Sequence, residues 1–582
     1  MSIFNVFSLL GGLAFFLYGM NMMGDALERK AGGKLKSILE QLTSNTFKGF
    51  LLGLVVTCII QSSSATTVMV IGFVNSGIMT LYQATGVILG ANLGTSITAW
   101  ILSLTGLEGD SFWIQLCKPS SFTPIFAFIA IFIIMFIKNS KHKDTALILM
   151  GFAVLMYGME VMESAVEPLA NSEKFQSMLL LFSNPVLGLA VGAIFTAIIQ
   201  SSSASVGILQ TLTLTGTVTY ATAIPLVLGA DIGTCISAML SSIGASKNAK
   251  RAAIIHLSFN IISSSILLTI FTLLNHFIGF AFITDTANPF GVAVIHSSFK
   301  VLALILFAPF TKQLTKIPYI FLPEDNKTEK VEVLDERLLS TPTVAIERCR
   351  SISCEMANVS VSILKKSLGL VFDFDEKTAK EIREGEESVD KYEDMLGTYL
   401  VKVSSKALTT EDSHEVSKLL HIIGDYERIS DHAVNILESA EEIKNKKLQF
   451  SEQAKEELKV MMNAVEEILN LALQSFEENS IEKAYKVEPL EQVVDNLQAF
   501  LKKQHVARLR KQECTIELGF VLTDLLTNLE RVSDHCSNVA VCIIEIAHES
   551  FDMHSYLQNL KDIHNEEFER NVQSYSEKYN VV

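Results

Sequence analysis

Gln61-Ser62-Ser63-Ser64-Ala65 returns as Gln200-Ser201-Ser202-Ser203-Ala204, 139 positions later, and both copies interrupt strongly apolar stretches. Four consecutive polar residues are hard to place in a helix that faces lipid along its length. A backbone that leaves helical form at membrane depth must line a cavity or lie inside protein. A duplicated polar break of this kind points to a transport pathway.

The offset of 139 extends well beyond the serines. Gly53 and Thr57 match Gly192 and Thr196, Gly77 matches Gly216, and Tyr18-Gly19-Met20 matches Tyr157-Gly158-Met159. Gly90-Ala91-Asn92-Leu93-Gly94-Thr95 matches Gly229-Ala230-Asp231-Ile232-Gly233-Thr234. Without gaps, residues 53–103 and 192–242 share 20 identities in 51 positions, so the unit is duplicated. Copies of about 1–138 and 140–274 are expected, with an extra span at 291–310.

Charge divides the 582 residues near Lys316. The first 316 hold 16 Lys/Arg and 12 Asp/Glu, a net +4, and the whole chain is −16, which leaves −20 beyond. A membrane domain over 1–316, a linker over 317–337, an acidic all-helical soluble domain over 338–548 and a loose charged extension over 549–582 are expected. The acidic tail argues against nucleic acid as a partner. Met1 to Met23 lacks a basic leader and reads as a retained span. Eight cysteines (58, 117, 235, 349, 354, 514, 536, 542) form no CxxC pair and read as buried thiols.

Basic clusters at Arg29–Lys36, Lys138–Lys143, Lys247–Arg251 and Lys312–Lys316 are placed inside, and the Lys/Arg-free stretches 105–117, 163–173 and 275–290 outside. Spans at 4–23, 80–103, 122–137, 145–163, 219–243, 252–274 and 291–310 then thread only if 49–79 and 188–217 turn back as re-entrant hairpins. The two copies become inverted, the N-terminus lies outside, and the tail is cytoplasmic. The fold class is thus an all-α inverted-repeat transporter in a cell (bacterial inner) membrane.

Half-helix N-termini and Ser62, Ser63, Ser64, Ser201, Ser202 and Ser203 offer donors to an anion, although serine hydroxyls can also ligate a cation. Gln61, Gln200, Asn92, Thr95, Asp231 and Thr234 add hard oxygen ligands suited to Na+. Neither repeated motif contains Arg or Lys, so bound Na+ is expected to supply the charge an anion needs. Asp231 stands where the first copy has Asn92, and an acid at that depth is a functional candidate. His256 with Asn260, and His296 with Lys300, share helix faces and are pathway candidates; interhelical hydrogen bonds, or Lys300 snorkelling to an interface, explain them as simply.

The tail repeats as well. Glu386…Asp390 and Glu427…Asp431 return as Glu491…Asp495 and Glu530…Asp534. Carboxylates four apart share a helix face and repel. Two such faces meeting in a bundle would gather four carboxylates able to hold a metal (Fe, Zn, Mn or Mg).

The paired Gln-Ser-Ser-Ser and Gly-Ala-Asn/Asp-x-Gly-Thr motifs resemble those of the sodium/phosphate cotransporter family over residues 1 to about 310. The resemblance implies Na+-coupled phosphate transport, with phosphate at the paired serines and Na+ near Gln61, Gln200 and the Asn92 and Asp231 regions. Asp231 departs from the Asn common in animal members. Residues 340–548 resemble PhoU, a pair of three-helix bundles whose Glu-x-x-x-Asp motifs bind metal clusters, which implies a regulatory tail with a homo-oligomer or a phosphate-signalling protein as partner. A phosphate sensor with little flux and a phosphate exporter are the competing readings. An enzyme ranks last, because no nucleophile–base arrangement is present.

Overall fold

The computed structural model describes residues 3–42, 46–76, 79–107, 118–137, 140–169, 177, 179, 181–323, 334–406, 408–547 and 566–580. Gly77, Cys117, Lys138 and much of the expected outer stretches 105–117 and 163–173 lie outside them, as do the side chains of Lys34, Lys36 and Lys141. The chain forms two compact units, Met1–Thr343 and Val344–Val582. Among the described residues there is no strand, only an isolated bridge between Thr219 and Thr286.

Unit 1 holds α1 (Ile3–Leu42), α2 (Thr46–Ile60), α3 (Ser63–Asn75), α4 (Leu81–Gly94), α5 (Ser96–Leu102) and α6 (Pro119–Phe136). They are followed by α7 (Ser140–Val166), α8 (Pro185–Ile199), α9 (Ser202–Thr213), α10 (Tyr220–Gly233), α11 (Cys235–Ser241), α12 (Lys247–Ile278) and α13 (Pro289–Phe307). Adding 139 to the bounds of α2, α4 and α5 gives those of α8, α10 and α11. Six helical stretches, beginning at Ile3, Leu81, His142, Tyr220, Lys247 and Pro289, are long and apolar enough to cross a membrane; the expected span at 122–137 is a shorter apolar helix.

Contacts between α1 and α7 reveal how the copies are related. A Cβ on Gly12 would strike the Gly158 carbonyl and Met162; one on Gly19 would strike the Gly151 carbonyl and Leu155. Residue numbers rise along one helix as they fall along the other, so α1 and α7 are antiparallel. Exchange of the copies maps the seam onto itself: Gly151 meets the Gly19 carbonyl and Met23, and Gly158 meets the Gly12 carbonyl and Phe16. Equivalent helices running in opposite directions make the repeats inverted. Glycine permits this backbone-to-backbone approach, an association device suited to a lipid environment.

Similar seams hold the hairpins. A Cβ on Gly53 would lie 1.9 Å from the Val87 carbonyl, and one on Gly192 2.3 Å from that of Leu226, so α2 lies against α4 and α8 against α10. The copies also interlock, since α3 packs on α11 and α12 while α9 packs on α5. Gln210 of α9 donates to the carbonyls of Ala99 (3.0 Å) and Pro289 (2.9 Å).

The described ends of the stretch expected to be a linker are held by side-chain contacts. Residues Pro318–Phe321 are helical, and the guanidinium of Arg251 donates to the Leu322 carbonyl and covers the Tyr319 ring. Asp335, fully buried, accepts from Asn75 at the end of α3 (2.7 Å) and from Arg337 (2.9 Å). Arg337 also donates to the carbonyls of Ser241 (2.6 Å) and Ile243 (3.1 Å), and Asn75 accepts from the Ser246 amide. Residues 335–337 form a strap across the ends of α3 and α11.

Unit 2 contains α14 (Pro342–Leu370), α15 (Glu376–Ser404) and α16 (Thr410–Lys446), then α17 (Glu452–Glu477), α18 (Val487–Arg510) and α19 (Ile516–Ala547). These are two three-helix bundles joined mainly through α16 and α19. The extension expected to be loose contains α20 (Glu566–Lys578). Tyr579 is buried there, its hydroxyl bonded to Glu467, and Lys578 pairs with the same carboxylate. Phe568, Val572, Tyr575 and Tyr579 follow helical spacing, a pattern the charged surroundings disguise. Residues 549–565 lie outside the described set.

Candidate functional site

Each hairpin turns at its glutamine. Gln61 and Gln200 have φ of 59° and 60°, the left-handed conformation that halts a helix. Ser62 and Ser201 follow with φ and ψ of −141°, 105° and −142°, 111°, and their hydroxyls accept from Ala65 N and Ala204 N as N-caps. Thr57 donates to Thr66 at 3.0 Å, and Thr196 to Ser205 at 2.8 Å. Nine residues of unbroken helix would separate such a pair by about 13.5 Å, so the chain folds back at each glutamine. Ser63, Ser202 and Ser203 are buried; Ser62, Ser64 and Ser201 are half-buried. Among the described residues no hydrogen bond joins the two serine tracts.

Side-chain surroundings distinguish the copies. Gln61 is buried, accepts from Thr98 of α5 at 2.9 Å and donates to the Cys58 carbonyl. Gln200 is exposed, and Ser237, the counterpart of Thr98, has a buried hydroxyl with no partner among the described residues. Thr98 and Ser237 escaped the sequence reading, although both lie at the 139 offset.

A second cluster lies where α4, α10, α12 and α13 meet, around a cavity of about 20 Å³ lined by Asn92, Asp231, Asn260 and Lys300. That space suits about one water-sized particle. Asn92 donates to Asn260 at 3.2 Å. Asp231 faces Lys300 Nζ at 2.8 Å and His296 Nε2 at 3.4 Å, all three buried. Asn260 donates to the His256 carbonyl, while the buried imidazole Nδ1 of His256 has no partner among the described residues. Thr95 and Thr234 hydroxyls donate to the carbonyls of Ala91 and Ala230, keeping their oxygens available as acceptors. Thus Asn92, Asp231, Asn260, His296 and Lys300 are gathered, and none of the serines of the two tracts lines this cavity.

In unit 2, ligand-capable oxygens of Glu386, Asp390 and Asp431 lie within 4.8 Å of one another, as do those of Glu491, Asp495 and Asp534. Burial and then Asp431 raise the Glu427 carboxyl; burial and then Asp534 raise that of Glu530. Each motif pair therefore converges on one patch. Burial first, then Asp390 and Asp431, pushes Glu386 above the usual carboxylate range, and Asp390 is raised by burial and Asp431. Clustered hard oxygens that resist simultaneous ionisation fit a divalent cation.

Between the bundles, His432 Nδ1 meets Asn528 Oδ1 at 2.8 Å, and His535 Nδ1 meets Asp425 Oδ1 at 2.9 Å. The 103-residue offset exchanges the two pairs. Asp425 and Asn528 were missed because each lies outside the repeated Glu-x-x-x-Asp pattern.

Residues 15–164 and 154–305 match the Na+/Pi-cotransporter family, together half of the chain. The chain belongs to that family. Residues 354–440 and 458–543 each match the PhoU domain. The YjbB protein of Escherichia coli (strain K12), named as a candidate inorganic phosphate export protein, is 24% identical over 92% of this chain and 97% of its own. Bacillus subtilis YqeW, uncharacterised, is 29% identical over 53% of this chain and 96% of its own. Human sodium-dependent phosphate transport protein 2B is 29% identical over 23% of this chain and 20% of its own. The Pseudomonas aeruginosa PhoU crystal structure aligns at 20% identity with a TM-score of 0.34, covering 35% of this chain and 97% of that one.

Proposed function

We propose that this cotransporter-family chain carries inorganic phosphate across the membrane together with Na+, under regulation by its PhoU domains. The observation that carries the reading is the pair of serine-capped half-helices, α3 and α9, begun by identical backbone turns in inverted copies. Their N-termini present amide hydrogens and positive dipole ends, and Ser62–Ser64 and Ser201–Ser203 add hydroxyls for phosphate oxygens. Gln61, Gln200, Asn92, Thr95, Asp231 and Thr234 supply oxygens for cations, Na+ among them, and His256, Asn260, His296 and Lys300 flank the pathway. The four-carboxylate patches of unit 2 hold divalent metal, which neutralises their mutual repulsion. Unit 2 lies on the cytoplasmic side, following the basic clusters of unit 1.

Net direction follows the combined gradients. The names of relatives matching over nearly the full length favour outward flux, for which the phosphate gradient must exceed the opposing Na+ gradient. Flux of radiolabelled phosphate in proteoliposomes, with Na+ or choline on either side, tests this. Phosphate movement that is Na+-dependent and abolished in Ser62→Ala/Ser201→Ala supports the reading; flux indifferent to both overturns it.

A further inference from the structure

The duplicated Gly-Ala-Asn/Asp-x-Gly-Thr segment ends in different charge states. In the first copy Asn92 meets Asn260 at 3.2 Å, amide to amide. In the second, the Asp231 carboxylate meets the Lys300 ammonium at 2.8 Å, with His296 beyond at 3.4 Å. Asp231 and Lys300 are each 7% exposed. Two ions removed from water to this degree are tolerable only as a pair. Asn92 of the first copy and Asp231 and Asn260 of the second border the same small cavity, together with Lys300. Lys300 belongs to α13, outside the stretches 53–103 and 192–242 that the 139 offset aligns.

We propose that the Lys300 ammonium is a tethered counter-cation: it occupies, in the second copy, the place that Na+ takes in the first. The inference rests on the cotransport reading and names the cation at one of its two sites. A lysine satisfies the carboxylate with one positive charge, as Na+ would, but it cannot be released on the far side. The charge of the second copy is therefore neutralised without drawing on the Na+ gradient, and the transport cycle consumes one Na+ fewer than the free Asp231 carboxylate would require. Asp231 thereby sets the need for a cation, and Lys300 is the specificity-determining residue that excludes a mobile one.

Lys300→Gln and Lys300→Met test this, with Lys300→Arg as the charge-retaining control. Phosphate flux in proteoliposomes is measured against Na+ concentration, and the purified proteins are melted in NaCl and in choline chloride without phosphate. Freed of its lysine, Asp231 takes Na+: the Hill coefficient for Na+ rises by about one, and NaCl raises the melting temperature of the neutral variants beyond its effect on wild type. The arginine control keeps the wild-type Hill coefficient and the wild-type response of melting temperature to NaCl. A Na+-dependent wild type whose neutral variants match it in both readouts overturns this inference alone. A wild type without Na+-dependent flux overturns the cotransport reading and the inference with it. Should both neutral variants fail to fold, rescue by NaCl over choline chloride supports the proposal, and equal failure in the two salts overturns it.

Discussion

The two hairpin breaks share one pentapeptide and one backbone, yet their side chains live differently. Gln61 and Gln200 agree in φ within a degree, but Gln61 is buried on Thr98 whereas Gln200 is exposed and the Ser237 hydroxyl has no partner among the described residues. The cavity residues diverge similarly, with Asn92 on an amide and Asp231 on a cation. Local sequence fixes where the chain turns. Partners from other helices decide what each turn holds, and those side chains differ between the copies, Thr98 against Ser237 and Asn260 against Lys300.

The largest test of the contrast is Asp231→Asn. It leaves Lys300 buried without its carboxylate and should cost about 3–5 kcal/mol by thermal unfolding in detergent. Gln at position 92 should cost far less, because no charge is orphaned there. Next, Gly53→Ala and Gly192→Ala should each cost about 1–3 kcal/mol, since the new methyl meets carbonyl oxygen rather than a side chain that can turn away. The tighter contact at Gly53 makes its variant the worse of the two; equal stabilities would show that both seams yield alike.

Thr98→Val strips a buried Gln61 oxygen of its donor and should cost about 1–3 kcal/mol, whereas Ser237→Ala removes an unsatisfied hydroxyl and should be neutral or stabilising. A loss from Ser237→Ala equal to that from Thr98→Val would erase the asymmetry. The smallest effect is expected in unit 2. The folded state raises the carboxyls of Glu386, Asp390 and Glu427, so protonation favours the fold. Their stabilising share is complete below the unfolded carboxylate range and is lost as pH rises through the folded values. Without metal at neutral pH, Glu386→Gln/Asp390→Asn should therefore melt slightly above wild type, by under about 1 kcal/mol. Adding Mn2+ should reverse the order, and an unchanged order would count against a metal patch.

Much of this architecture is legible in the sequence, because duplication supplies its own alignment. The 139 offset exposes the serine turns, and the loop charges with the parity of the spans give the inversion that the antiparallel α1 and α7 display. Four Glu-x-x-x-Asp pairs likewise foretell two acidic patches. What stays hidden depends on contacts across the sequence. The sequence alone does not show that Thr98 rather than solvent would meet Gln61, or that Lys300 would reach Asp231 from another helix. The strap was concealed for another reason: Asp335 and Arg337 read as ordinary linker charges until Asn75 and the carbonyls of Ser241 and Ile243 give them partners.

That strap acts as a cable's strain relief. A pull travelling back along the backbone from Val344 reaches residues 335–337, fastened to the tips of α3 and α11, before it can load the chain following α13. Tension from the second unit is thus delivered first to the far end of the half-helix whose opposite end begins at Ser63.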